Sequence, residues 1–235
     1  MSNKEAIILA GGLGTRMQEV LHDVPKCMAL VKGVPFLTYV LRYLEKQSVS
    51  KVILSVGYLK DQIINYYGSA FNSITIDYAI ETEPLGTGGA VKNALDFCSQ
   101  QDCYIINGDT YFIPDLIEME EFHHRMISSV TIATKYMSDS DRYGLVLTDQ
   151  NGRITEFREK VPASGNGWIN GGIYLINKKS LAGAPRKFSL EKDFLAISCH
   201  GIPMYSFQTE AFFLDMGIPE DYTRAQLLLP SFIEI

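Results

Sequence analysis

The stretch LAGGLGTRMQEVLHDVPKCM, residues 9–28, follows the apolar run AIIL and carries Gly11, Gly12 and Gly14 ahead of Arg16 and Lys26. Glycines clustered after a strand let backbone N–H groups turn inward on an anion. Arg16 and Lys26 add two cations at the same edge. The spacing is not G-x-G-x-x-G, and it lacks the GK[ST] ending of a P-loop, so it fits neither common nucleotide motif. A tight strand-to-helix turn with solvated cations would use the same residue types.

Two carboxylates stand where a metal would be held over phosphates. NGDT puts Asp109 at the tip of an apolar run, and FFLDMGIPEDY puts Asp215 after another. Mg2+ takes one or two carboxylates together with substrate oxygens and water; a turn or helix cap uses aspartate equally well. EPLGTGGAV (83–91) is a second glycine-rich loop, whose following helix could receive a phosphate or whose backbone could read a base. FREK (157–160) ends a strand with Glu159 and Lys160, a lysine suited to a second phosphate or simply to solvent. Asn170 and Gly171 in INGGIY suit close approach of a sugar ring, or a bulge. Glu191 falls in the first turn of a helix capped by Ser189. His123 and His124 lie beside Glu120 and Glu121 and read as a solvated helix face.

The elements that must position these residues alternate in type. Strands are expected at 5–10, 51–57, 74–80, 103–109 and 129–136, with helices at 35–49, 60–71, 88–98 and 113–126. That order means a Rossmann-like α/β fold: a mostly parallel sheet, helices on both faces, ligands beyond the carboxyl ends of the strands. After it come a hairpin turning at Gln150–Asn151–Gly152, a strand at 170–177, a helix at 189–198, a second hairpin around MYSFQTEAFFLD and a helix at 218–229. With no linker or repeat, residues 1–235 are expected to form one domain. Residues 1–136 would mainly bind nucleotide, and 137–235 would form a small β region for the second substrate.

Composition sets limits. Apolar residues make up 46% of the 235, enough for a large core, and the net charge of −6 argues against nucleic acid as a partner. No leader pattern or membrane-spanning run is evident, and the four cysteines, without a CxxC, read as reduced thiols, so a cytoplasmic protein is expected. A homo-oligomer stays open.

LAGGLGTRM, the lysine of VPKCM, EPLGTGGAV, NGDT, FREK, INGGIY, SLEKDF and DMGIPEDY occur in the order found in sugar-1-phosphate nucleotidyltransferases, a family the chain resembles over nearly its whole length. Within it the chain is most similar to compact members that transfer a guanylyl group from GTP to a heptose 1-phosphate. The resemblance implies roles for single residues. Leu9, Gly11, Gly12, Gly14 and Thr15 would belong to the loop that wraps the nucleotide. Arg16 would hold the triphosphate, Lys26 would contact the α-phosphate, and Gly88 with Glu83 would lie near the base. Asp109 and Asp215 would bind Mg2+. Lys160 would bind the sugar phosphate, and Glu159, Asn170, Gly171 and Glu191 would contact the sugar. The family usually has proline after the signature lysine; Cys27 stands there instead, which leaves φ free and keeps the charge of Lys26. Mannose 1-phosphate as acceptor, or UTP, CTP or dTTP as donor, would use the same chemistry. A non-catalytic sensor would be expected to lack Arg16 or Lys26. A nicotinamide-dependent oxidoreductase would want G-x-G-x-x-G and an acidic residue after the second strand.

Overall fold

The computed structural model describes residues 4–12, 23–159 and 165–232. The first strand, β1 (Lys4–Leu9), shows how the fold is built. Ala6, Ile7 and Ile8 are fully buried, yet Ile7 belongs to one apolar cluster while Ala6 and Ile8 belong to another. Successive strand side chains point to opposite faces, so an unbroken apolar run must be covered on both.

Two short strands, β2 (Leu30–Val31) and β3 (Val34–Pro35), lead into helix α1 (Phe36–Lys46). The α1 face carrying Phe36, Leu37, Val40, Leu41 and Leu44 joins the Ala6/Ile8 cluster. Next come β4 (Val49–Val56), α2 (Lys60–Tyr67), β5 (Ala70–Phe71), β6 (Ile74–Ile80) and α3 (Gly86–Leu95). Helix α3 covers the other face, with Val91, Ala94 and Leu95 against Ile7 and Ile53. The helix expected at 60–71 ends earlier, because Gly68 takes φ +59° and turns the chain into β5.

Then follow β7 (Asp102–Asn107), β8 (Thr110–Phe112), α4 (Leu116–Arg125), β9 (Val130–Met137), β10 (Leu145–Thr148), β11 (Ile154–Arg158) and β12 (Gly167–Asn177). Helix α4 starts two residues after Ile113–Pro114, where Asp115 accepts from the N–H groups of Ile117 and Glu118. The β10–β11 turn is the expected one, with Gly152 at φ +78° and Asp149 accepting from Asn151 and Arg153 N–H. A π-helical turn, Leu190–Leu195, capped by Ser189, runs into α5 (Ala196–Ser198). β13 (Met204–Gln208), β14 (Phe213–Asp215) and α6 (Pro219–Leu228) complete the set.

Strands β1, β4, β6 and β7 are parallel, β12 runs antiparallel to β7, and the sheet extends through β10 to β11, with β9 also pairing β12 and β13 pairing β9. The result is a mostly parallel α/β sheet with helices on both faces, as expected. The hairpin expected around MYSFQTEAFFLD does not form. β13 pairs in parallel with β9, whereas β14 pairs antiparallel with β8 in a separate two-stranded ladder. Phe212 and Phe213 pack on the Ala6/Ile8 cluster, which carries the chain away from the main sheet. No helix among the described residues is long and apolar enough to cross a membrane.

Candidate active site

The carboxyl ends of β1, β4, β6 and β7 open into a cavity of about 710 Å³. Leu9, Gly11 and Gly12 form one wall, Tyr58 and Glu81–Pro84 another, and Lys26, Asp109 and Gly217 the far end. The first glycine loop is tied in early: Ala10 N–H donates to Ser55 C=O at 2.8 Å. A Cβ on Gly11 would lie 2.8 Å from Glu81 Oε1 and 3.2 Å from Gly57 N, so this backbone approaches β4 and β6 more closely than any side chain allows. Gly12 has open space where a Cβ would stand. Gly14, Thr15, Arg16 and Lys160 lie outside the described residues.

Lys26 heads a short 3-10 turn and places Nζ 2.6 Å from Asp109 Oδ2. Partial removal from water pushes the Asp109 carboxyl up, but the lysine overrides this and holds it below the usual carboxylate range. The neighbouring Cys27 is buried, and burial pushes its thiol to about 12, so it stays protonated and unreactive. Proline is absent here, and the ion pair to Asp109 fixes the ammonium instead.

The small ladder brings the second carboxylate in. Asp215 pairs with Thr110, and Met216 N–H donates to Asp109 C=O at 2.9 Å, so the two aspartates share one edge. Burial, and then the Asp109 charge, raise the Asp215 pKa to about 6, against the pull of Lys26 and Arg142. Two neighbouring carboxylates, one of which raises the other's cost of ionisation, beside one lysine make a donor set suited to a hard divalent cation.

The second glycine loop is fastened differently from expectation. Gly88 and Gly89 N–H both donate to Phe188 C=O, at 3.0 and 3.2 Å, so these helix N–H groups already have a partner. A Cβ on Gly88 would fall 2.2 Å from the Phe188 ring. Glu191 accepts from the Thr87 hydroxyl at 2.6 Å, and that hydroxyl accepts from Leu190 N–H at 2.9 Å; this clasps the π-helical turn to the loop and leaves Glu191 on the cavity wall. Glu83 also lines the cavity and faces Arg186 at 3.2 Å.

Gly88, Glu159, Asn170, Gly171 and Asp215 are not part of this wall. The NGG segment is a bulge: β12 slips register on β9 between Asn170 and Ile173, and Gly172 takes φ +76°. Asn170 donates to Tyr174 Oη at 2.7 Å and accepts from Gly172 N–H, while a Cβ on Gly171 would strike Phe112.

Three functional candidates are added by the fold. Glu81 follows β6, where the rule that selected Asp109 would also have found it. Tyr58 follows β4 on the cavity rim. Arg142 reaches Asp221 across 79 residues, and nothing in the local sequence signals that. One expectation is corrected: His123 is buried, bonded to Thr131 Oγ1 at 2.8 Å and 3.8 Å from Asp102, and only His124 is solvated. Cys98 and Cys103, distant from the cavity, come together with Glu5.

A family model described as nucleotidyl transferase matches residues 5–231. The D-glycero-alpha-D-manno-heptose 1-phosphate guanylyltransferase of Aneurinibacillus thermoaerophilus is 44% identical over 231 residues, covering 97% of this chain and 100% of that one. The protein of the same name from Campylobacter jejuni is 41% identical over 220 residues, 93% of this chain and 96% of its own. Among solved structures, HddC from Yersinia pseudotuberculosis complexed with GMP-PN superposes with a TM-score of 0.84 at 40% identity, over 95% of this chain and 98% of that one.

Proposed function

The chain belongs to the nucleotidyl transferase family, and from that premise we propose that it transfers the guanylyl group of GTP to D-glycero-α-D-manno-heptose 1-phosphate. The products are GDP-heptose and pyrophosphate. The observation that supports this reading is the Lys26–Asp109 ion pair at one end of the cavity, with Asp215 brought next to Asp109 by its pairing with Thr110 just behind that wall. The choice of guanine and heptose rests on the relatives that match the whole chain.

In this reading a phosphate oxygen of the sugar 1-phosphate attacks the α-phosphorus in line and pyrophosphate departs. That oxygen is already ionised at neutral pH, so no strong general base is needed, and catalysis is positioning and charge neutralisation. Asp109 and Asp215 would hold Mg2+, which would supply neutralisation of phosphate charge. Lys26 neutralises the α-phosphate, Arg16 the departing pyrophosphate and Lys160 the incoming phosphate. Gly11, Gly12, Gly14 and Thr15 wrap the triphosphate. Residues 137–235 bring the sugar side, with Glu159, Asn170, Gly171 and Glu191 near its hydroxyls.

Glu81 selects the base. Its contacts to Ser55 Oγ and Leu85 N are long, 3.3 and 3.2 Å, which leaves carboxylate lone pairs turned to the cavity. Guanine offers two adjacent donors, N1–H and the 2-amino group, that match a carboxylate. Uracil and thymine flank a single N–H with carbonyls that a carboxylate repels.

The test is pyrophosphate release with Mg2+, crossing GTP, ATP, UTP, CTP and dTTP against the heptose phosphate and mannose 1-phosphate. Release is expected with GTP and the heptose phosphate. Release only with mannose 1-phosphate, or with a pyrimidine triphosphate, would overturn the substrate assignment and keep the chemistry.

A further inference from the structure

Arg142 lies in the segment between β9 and β10, 40% of its side chain exposed, and belongs to none of the motifs above. Its guanidinium sits 2.5 Å from Asp221 Oδ2 and 3.6 Å from Asp215 Oδ2. Asp221, in the first turn of α6, is almost completely buried and is also approached by Arg224 at 3.2 Å. A buried carboxylate of this kind requires a cation, so Asp221 fixes where the Arg142 fork can be.

The rest of the segment is equally well tied. Gly144 C=O accepts from Asn170 N–H at 2.8 Å, and the Tyr143 ring meets Phe213, two residues before Asp215, edge-on at 5.5 Å. Arg142 Cζ itself lies 5.6 Å from the centre of the Tyr143 ring. The guanidinium is thus held by Asp221 on α6 and lies by the Tyr143 ring that packs on β14, which leaves it 3.6 Å from Asp215 at the end of that strand.

We propose that Arg142 is a positioning residue for the metal carboxylate: anchored by Asp221, it orients Asp215 toward Asp109. This rests on the reading of Asp215 as a ligand of the divalent ion. Groups that orient a ligating carboxylate are worth about 10–100-fold in metal affinity. Arg224 gives an internal control, because it shares Asp221 and has no contact with Asp215 among the described interactions.

The measurement is the Mn2+ affinity of the protein saturated with a non-hydrolysable GTP analogue, read by electron paramagnetic resonance of the ternary complex. Arg142→Met is expected to weaken Mn2+ by about 10–100-fold, and Asp221→Asn to act in the same direction. Arg224→Met should stay within twofold of the unmodified protein. If Arg142→Met does not fold, Arg142→Lys, which keeps the charge but loses the fork, decides: a loss near tenfold is expected. Affinity within twofold for the Arg142 variant, or an equal loss for Arg224→Met, overturns the proposal. Asp215→Asn separates the two readings: if it leaves Mn2+ affinity unchanged, the ligand assignment itself fails.

Discussion

The two ends of the parallel strands use the same residue types in opposite ways. At the amino end of β1, Glu5 accepts from Ser99 N–H at 2.6 Å, Ser99 Oγ at 2.7 Å and Gln100 N–H at 3.0 Å. Nearby, Lys51 is shared between Asp77 at 2.8 Å and the Phe97 carbonyl at 2.7 Å. At the carboxyl end, Asp109 has one lysine, and Asp215 has an arginine no nearer than 3.6 Å. Charges that complete a fold are saturated by their own chain, whereas those at the cavity are left with capacity for something else. Burial marks the same difference: Glu5 is almost fully buried, whereas the Asp109 side chain stays partly open to the cavity.

The largest effect should come from Asp109→Asn. Turnover is expected to fall at least about 10²–10³-fold, while the thermal midpoint changes little, because its loss also relieves repulsion on Asp215. Near-normal turnover with Mg2+ would break the contrast between the ends. Glu5→Gln should do the reverse. Replacing a saturated carboxylate costs about 1–3 kcal/mol of stability, measured by denaturant unfolding, with kcat unchanged. A loss of kcat in a stable Glu5→Gln protein would show that the far end takes part in the chemistry.

Glu81→Gln sharpens the picture on the cavity wall. It should cut selectivity for GTP over UTP in kcat/KM by about 10–100-fold, the worth of about 1–3 kcal/mol for a two-point base contact. Selectivity that is unchanged would move base recognition elsewhere.

The smallest effect concerns pH. In the folded protein burial and the neighbouring Asp109 charge raise the Asp215 pKa from the ordinary aspartate value of 3.8 to about 6, so the folded state keeps a proton that the unfolded chain has released. The unfolded state therefore binds fewer protons between about pH 4 and pH 6, and with chelator present this carboxylate makes stability fall as pH rises across that window. Asp215→Asn should remove that component, and Mg2+ should reverse it. An unchanged pH profile of unfolding in Asp215→Asn would contradict the environment assigned to this residue.

Much of this was readable from sequence because it depends on local pattern. Apolar runs such as AIIL and VILSV could only be strands covered on both faces, and the order of elements set the strand tips on which Asp109 stands. The MYSFQTEAFFLD segment misled because its alternation is the same whether its strands pair with each other or with two different partners. His123 is buried only because α4 packs on β9, a contact that helix periodicity did not reveal. What the sequence could not reveal at Gly88 is its packing partner: the missing side chain makes room for Phe188, 100 residues away in the chain. Arg142 was invisible for the same reason: its meaning lies wholly in a long-range partner.

The most direct test is a crystal structure with Mn2+ and a non-hydrolysable GTP analogue, using the anomalous signal to locate the ion. A peak is expected within bonding distance of both Asp109 and Asp215 and of the analogue's phosphates, with guanine against Glu81. A peak held by phosphates alone, with Asp109 still on Lys26 and Asp215 turned away, would contradict this assignment.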